Sequence, residues 1–358
     1  MNTELIEIIG SVDNGTLSLS SDERRGLLRA SEIIKNGGLV IFPTETVYGL
    51  GGDATNPNAA QKIYAAKGRP SDNPLIIHIF NAEQAEEYAY TNDVYYKLAK
   101  RFMPGPLTVI LKAKDTVPVQ TRGGLETVAV RCPVHPVAAE LIRLSGVPIA
   151  APSANLSGSP SPTKASHAID DMMGRVDMII NGGECDFGLE STIVKIENDG
   201  SLCLLRPGKI TADELSEIAP VNVAEAVTSK LREGEVALSP GMKYRHYAPA
   251  SPLVLLDGDV SDSIRFIKNE DRGNVAVLCY SEYADVLKSH LPDAAIYEFG
   301  AEEDELNHAH RLFALLREMD KQNYSMIYAP VPKQSGIGLA IYNRLIRAAA
   351  HTIINLKR

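Results

Sequence analysis

The run Leu39-Val40-Ile41-Phe42 and the segment after it, Pro43-Thr44-Glu45-Thr46-Val47-Tyr48-Gly49-Leu50-Gly51-Gly52, constrain this chain most. Consecutive apolar residues of this length read as a buried strand. The eleven positions from Phe42 to Gly52 then hold a proline, two threonines, a glutamate, a tyrosine and three glycines. Glycine lets a backbone approach a ligand closely or take positive φ. Threonine hydroxyls and a carboxylate supply short, directed hydrogen bonds. A buried strand opening into such a segment reads as a binding loop on a rigid scaffold. The alternative is a polar turn that merely joins strand to helix.

Around this stretch the chain mixes strands and helices. A helix is expected from Ser21-Asp22-Glu23, with acids at its positive end, to Asn36-Gly37-Gly38. Helices follow near 58–66, 82–90, 93–102 and 136–145, and strands near 74–79, 107–111, 127–132, 178–180, 191–196 and 202–205. Hairpin-like pairs interleaved with helices predict an α+β domain with a mixed, twisted sheet over residues 1–220. From 221 to 250 the periodicity breaks down between Ser239-Pro240-Gly241 and Ala248-Pro249, which reads as an interdomain linker. Beyond it, strands at 253–256, 275–279, 295–298 and 326–329 alternate with helices, the last spanning 338–353. Four βα units predict a small Rossmann-like parallel α/β domain over residues 251–358. The class is therefore α/β (α+β) with two domains.

Bulk properties exclude several functions. The net charge of −9 over 358 residues rules out a whole-surface nucleic-acid footprint, so any phosphate contact must come from a local basic cluster. The four cysteines are far apart and form no CxxC, which argues against a zinc site or disulfide framework and fits a reducing compartment. The start carries no signal-peptide core, and no apolar run reaches membrane-spanning length. A cytoplasmic protein, monomeric and away from membranes, is the expectation. No GxGxxG follows the first strand of the second domain, and no GxxxxGK[ST] occurs. No catalytic-cysteine, HExxH or Ser/His/Asp pattern stands out. Chemistry here would rest on positioning and charge neutralisation, as in phosphoryl and nucleotidyl transfer.

Other stretches carry polar chemistry. Lys67-Gly68-Arg69 suits a polyphosphate, arginine bidentately and lysine as a point charge; the alternative is a solvated helix end. Ala150 to Thr163 follows an apolar strand with small residues, hydroxyls and Asn155, chemistry for phosphate oxygens, ribose hydroxyls or a base edge; a Ser/Pro-rich surface loop is the alternative. Arg131 interrupts the apolar strand Val128-Ala129-Val130 and needs a partner if buried, either a carboxylate ligand or an internal acid. His78 is a lone histidine in an apolar strand, a satisfied core residue or a functional one. Arg206 ends a strand, to hold a phosphate or to solvate an edge.

Taken together, Pro43 to Leu50, Lys67-Gly68-Arg69 with Asn73-Pro74-Leu75, Ala129-Val130-Arg131, Ser153-Ala154-Asn155 and Glu190-Ser191-Thr192 resemble the YrdC family. Ser239 to Pro249 and Gly338 to Leu345 resemble its two-domain long form. The resemblance spans nearly all of the chain past its first twenty or so residues. It implies a YrdC-like catalytic domain, and a nucleotidyl transfer in which L-threonine, bicarbonate or carbon dioxide, and ATP give threonylcarbamoyl-AMP and pyrophosphate, with magnesium accompanying ATP. The product would feed threonylcarbamoyladenosine modification of tRNA, through tRNA-modifying partner proteins. Carried over by motif, Thr46, His78, Arg131, Ala151 and Ser191 would hold threonine. Arg69, Asn73, Thr127, Ser153, Ser161, Arg206 and Tyr247 would hold ATP, and Lys67 and Arg69 would be catalytic. No protein-bound structural metal is implied. Tyr244, Arg245, His246 and Tyr247 crowd a proline-bounded segment and are expected to form a lid over a labile carbamate. The competing reading is a non-catalytic YrdC-like module that binds RNA weakly; a structural partner of a tRNA-modifying assembly is a third.

Overall fold

The computed structural model describes residues 2–13, 16–229, 247–270 and 272–357. These divide into two compact units, the first running to Val227 apart from Gly158–Pro160, the second taking Gly158–Pro160, Thr228, Ser229 and the residues from Tyr247 on. Most of the expected lid, Tyr244, Arg245 and His246, lies outside the described residues. No described helix is long and apolar enough to cross a membrane.

The first unit is built on a twelve-stranded mixed sheet. Its strands lie in the order Glu4–Glu7, Met178–Asn181, Val40–Phe42, Gly49–Asp53, Ile149–Ala150, Ile76–His78, Thr127–Arg131, Leu107–Ala113, Thr192–Ile196, Leu202–Arg206 and Val221–Val223, with Ala89–Tyr90 paired to Leu107–Ala113. Both faces are covered, so its strands read as apolar runs rather than as alternation. Ile41 packs into one core with Leu50, Ile77, Val109 and Val130. Its neighbours Val40 and Phe42 point the other way, into a second core with Leu27, Ile34, Leu141 and Ile142. Helix Ser21–Lys35, which supplies Leu27 and Ile34, starts at a capping box in which Ser20 and Glu23 bond each other's backbone amides.

The glycines after Phe42 are where the sequence expectation fails. They do not form a loop running into a helix: Gly49–Asp53 is a strand, antiparallel to Val40–Phe42 with Phe42 opposite Gly49. Only Pro43–Tyr48 forms the connecting tip. Glycine composition ordinarily disfavours strands, but here close packing requires it. A Cβ on Gly51 would sit 2.6 Å from Phe42 Cε1 and 2.7 Å from Ile149 Cγ2. Smaller departures are the helix at 82–90, which shrinks to Ala85–Tyr88 before strand Ala89–Tyr90, and an unforeseen helix, Ala165–Met172.

The second unit is a five-stranded, wholly parallel sheet in the order Ala295–Glu298, Val275–Cys279, Met326–Pro330, Leu253–Asp257, Ile353–Asn355. The four expected βα units are present. The closing helix, however, stops at Ala348, and a fifth strand, Ile353–Asn355, follows it.

Gly51→Ala should destabilise the first unit by about 1–3 kcal/mol, because the added methyl is forced against a ring and an isoleucine inside a packed core. A urea midpoint equal to that of the wild type would show that the strand has slack there.

Candidate active site

One row of registered residues organises the site. Across neighbouring strands of the first sheet, Ile149 lies opposite His78, His78 opposite Arg131, Arg131 opposite Thr108, Thr108 opposite Ile193, and Ile193 opposite Arg206. His78, Arg131 and Arg206 each end a strand. Three residues singled out from distant parts of the sequence are thereby brought to one level of one sheet.

Arg131 is buried, and its Nη2 donates to Glu45 Oε1 at 2.7 Å. The internal acid left open by the sequence is Glu45, at the tip between the first two paired strands. Arg131 Nε and Glu45 Oε2 are both buried with no hydrogen-bond partner among the described residues. The tip is rigid. Thr44 Oγ1 donates to the Val47 carbonyl at 2.6 Å and accepts from the Thr46 and Val47 amides, each at 3.2 Å. Its single proton is therefore committed, and the 2.9 Å contact between the two hydroxyls must be donated by Thr46.

His78 Nδ1 lies 3.2 Å from the Ile149 carbonyl. A carbonyl only accepts, so Nδ1 carries the proton and Nε2 the lone pair. Burial, and next the charge of Arg131, hold this imidazole down to about 3. It is a neutral hydrogen-bonding group. On the far side of Arg131, Thr108 Oγ1 and Ser191 Oγ are 2.7 Å apart. Arg206 donates from Nη2 to Ser191 Oγ at 3.0 Å and from Nε to the Ser191 carbonyl at 2.9 Å. Ser191 and Arg206, expected on different substrates, are thus in direct contact.

The basic cluster is not a solvated helix end. Helix Pro57–Lys67 stops at Gly68, whose φ of 61° is the left-handed conformation glycine takes readily. That turn sends Lys67 and Arg69 inward, and both are buried. Lys67 Nζ donates to the carbonyls of Ser153 and Asn155 and to Asn155 Oδ1, tying the helix end to the serine-rich segment. Arg69 Nη2 donates to the Asn73 and Pro74 carbonyls at 3.1 and 3.2 Å. Both amide atoms of Asn73 are buried without a partner among the described residues. Ser153 Oγ donates to Asn155 Oδ1, and Ser161 Oγ donates to Glu190. Ala151 and Ser153 border the first hairpin: Gly49 bridges Ser153, and a Cβ on Gly49 would lie 3.3 Å from that of Ala151.

Thr127 begins the strand that Arg131 ends, on the same face but roughly 13 Å away. Tyr247 belongs to the second unit, where its ring stacks on Phe313 at 5.2 Å with the Arg344 guanidinium 5.8 Å from its centroid. Glu45, Thr108, Asn155 and Glu190 acquire partners the sequence did not assign. Glu45 and Glu190 lie inside the motifs shared with the YrdC family, whereas Thr108 carried no signal beyond a hydroxyl in an apolar strand.

No thiol is poised for attack. Burial pushes Cys132 and Cys279 up to about 12 and raises Cys185 and Cys203 as well. The second unit has a separate pocket of about 450 Å³ at the carboxyl ends of strands Leu253–Asp257, Val275–Cys279 and Met326–Pro330. On its wall Tyr283 donates to Glu302 at 2.9 Å and Asp259 accepts from the Asp262 amide at 2.8 Å, while the Tyr328 hydroxyl is buried with no hydrogen-bond partner among the described residues.

The first unit is of the YrdC type. Residues 32–208 match the Sua5/YciO/YrdC family model, described as "Telomere recombination". Residues 210–350 match the model described as "Threonylcarbamoyl-AMP synthase, C-terminal domain". A threonylcarbamoyl-AMP synthase from Pyrococcus abyssi is 42% identical over 337 residues, 91% of this chain and 95% of the relative. That from Bacillus subtilis is 43% identical over 333 residues, 92% and 94% of the two chains. The crystal structure of P. abyssi Sua5 complexed with L-threonine superposes with a TM-score of 0.86 at 39% identity, covering 99% of each chain. The chain belongs to the threonylcarbamoyl-AMP synthase family.

The state of His78 sets a pH dependence. Its folded value of about 3 lies below the ordinary value of 6.5, so the unfolded chain binds the proton first as pH falls. The stability it secures is complete above pH 6.5 and is lost toward pH 3. Between pH 6.5 and 4 the wild type should lose stability faster than His78→Asn, by up to about 1.4 kcal/mol per pH unit. Parallel urea-midpoint curves would show that His78 takes up its proton in the folded protein.

Proposed function

We propose that this chain condenses L-threonine, bicarbonate or carbon dioxide, and ATP into threonylcarbamoyl-AMP and pyrophosphate, the adenylate serving threonylcarbamoyladenosine formation on tRNA. The observation that carries this reading is the convergence of Arg131, His78, Thr46 and Ser191 on one end of the sheet, with Arg206 bonded to Ser191. That set offers a guanidinium for a carboxylate, a neutral imidazole nitrogen for a hydroxyl and small polar groups around them. The P. abyssi relative that superposes on this chain was crystallised with L-threonine.

In this reading the threonine amine, having shed a proton to become neutral, attacks carbon dioxide and releases a second proton to water, leaving a carbamate with one N–H. A carbamate oxygen then attacks the α-phosphorus of ATP, and the bond from that phosphorus to the bridging β-phosphate oxygen breaks, releasing pyrophosphate. Arg206 is the cation bonded to Ser191 and the one nearest the threonine set in the sheet register, so it is the group to bridge the two substrates. Lys67 and Arg69 offset charge on the leaving pyrophosphate, and Asn73, whose amide has no partner among the described residues, orients the nucleotide. Ser153, Ser161 and Thr127 complete the nucleotide's polar surround. Magnesium supplies charge neutralisation on the phosphates when bound. The two carboxylates at hand, Glu45 and Glu190, are engaged by Arg131 and Ser161, and the other groups are cations, amides and hydroxyls that suit phosphate oxygens, so the ion would be carried by the nucleotide and water. Burial of Lys67, Arg69 and Arg131 disfavours the RNA-clamp reading, since tracking a phosphate backbone needs cations at the surface.

Pyrophosphate release should require ATP, magnesium, L-threonine and bicarbonate together. Lys67→Ala should lower its rate by about 100-fold or more. Release without threonine, or none under any combination, overturns the reading. Serine lacks one methyl, worth only about 1–3 kcal/mol in an apolar pocket. Measurable turnover of serine at high concentration is therefore expected, and its complete absence would reveal an additional rejecting element.

A further inference from the structure

Ion pairs sealed inside a protein ordinarily use up their hydrogen-bonding capacity, because each unmet atom is costly. The Arg131–Glu45 pair does not. One contact, Arg131 Nη2 to Glu45 Oε1 at 2.7 Å, joins the two side chains. Arg131 Nε and Glu45 Oε2 are left buried and unpartnered among the described residues. Both side chains are about nineteen-twentieths buried, at 5% and 6% exposure. The pair therefore presents one unmet donor and one unmet acceptor. Other titratable groups near Glu45 do not answer that need: burial raises the Cys132 and Cys185 thiols and lowers His135, leaving all three neutral. Beside Glu45, the Thr46 hydroxyl has its proton directed at Thr44 and turns only lone pairs outward.

We infer that Glu45 is a substrate-reading residue: its unpaired carboxylate oxygen accepts an N–H of the amino group of the amino-acid substrate, while the other half of the same ion pair, Arg131, takes the carboxylate. The inference rests on the threonine reading given above and adds the residue that recognises the amine. An α-amino acid is itself a cation and an anion a short distance apart, and a partly satisfied ion pair is its electrostatic complement. The amine keeps one N–H after it has been carboxylated, so the same oxygen holds the nitrogen before and after that step. Rejection follows from the same contact. A hydroxy acid without the amine would leave a buried carboxylate oxygen unmet, and sites of that kind discriminate strongly.

Calorimetric titration of the full chain with L-threonine and with (R)-3-hydroxybutanoate, which lacks the amino group, tests this. The wild type should bind threonine at least about 100-fold more tightly than the hydroxy acid. Glu45→Gln keeps an acceptor for Arg131 but loses the charge, and should weaken threonine binding about 10-fold or more while changing hydroxy-acid binding little. Its thermal midpoint and circular dichroism establish that it is folded. Wild-type binding of the two ligands within about threefold overturns the inference whether or not the variant folds, and leaves the threonine reading standing. A folded Glu45→Gln with undiminished discrimination also overturns it. Failure of the wild type to bind threonine at all brings down the substrate reading and this inference together.

Discussion

A guanidinium and a carboxylate enclosed at the end of a sheet determine how the rest of the first unit is arranged. Removing both from water costs several kcal/mol each, and their attraction repays this only where geometry is held firmly. The first unit supplies that firmness from two sides. Arg131 is fixed by strands on either hand, His78 in parallel register and Thr108 in antiparallel register. Glu45 is fixed by a tip whose threonine hydroxyls and amides are bonded within a few residues. The glycines below that tip let the two strands bearing it lie beneath Phe42 and against Ile149. Chemistry at the site and packing beneath it are thus one constraint.

Much of this was readable in the residues. Apolar runs such as Val128-Ala129-Val130 and Val275 to Cys279 announced strands covered on both faces, and the alternation after 253 announced the parallel sheet. Arg131, His78 and Lys67 declared themselves as charge or polarity in apolar surroundings. What was hidden depended on distance in sequence. Glu45 and Arg131 are 86 positions apart, and Thr108 and Ser191 are 83 apart, so neither pairing leaves a local trace. Gly49–Asp53 was hidden for a different reason. Its composition favours a loop, and only the ring and side chain that would strike a Cβ explain why it is a strand. Ile353–Asn355 was absorbed into the preceding helix because three residues are too few to establish a period.

The two units solve binding differently. The first buries its cations Lys67, Arg69, Arg131 and Arg206 together with the Asn73 amide, which has no partner among the described residues. The second places its pocket where parallel sheets generally accept ligands, outside the carboxyl ends of the strands, and lines it with the carboxylates Asp257, Asp259 and Glu302. Asp257, Gly258 and Asp259 stand where a dinucleotide-binding fold has its glycine-rich phosphate turn. Carboxylates at that position repel a phosphate, so the second sheet is parallel like those of nucleotide binders but lacks their electrostatics.

The borders of the two sheets bear on how the protein behaves in crowded solution. The large sheet ends in Glu4–Glu7, four residues, and Val221–Val223, three; the small one ends in Ala295–Glu298, four, and Ile353–Asn355, three. Each of the four carries at least one acidic or amide side chain. Strands this short offer few free backbone groups to a neighbouring molecule, and a charge among them penalises flat stacking. Seventeen strands in two wide sheets would otherwise be a template for self-association. The longest, most apolar strands are confined to interior positions, so the residues best suited to forming fibrils are those least able to meet another copy.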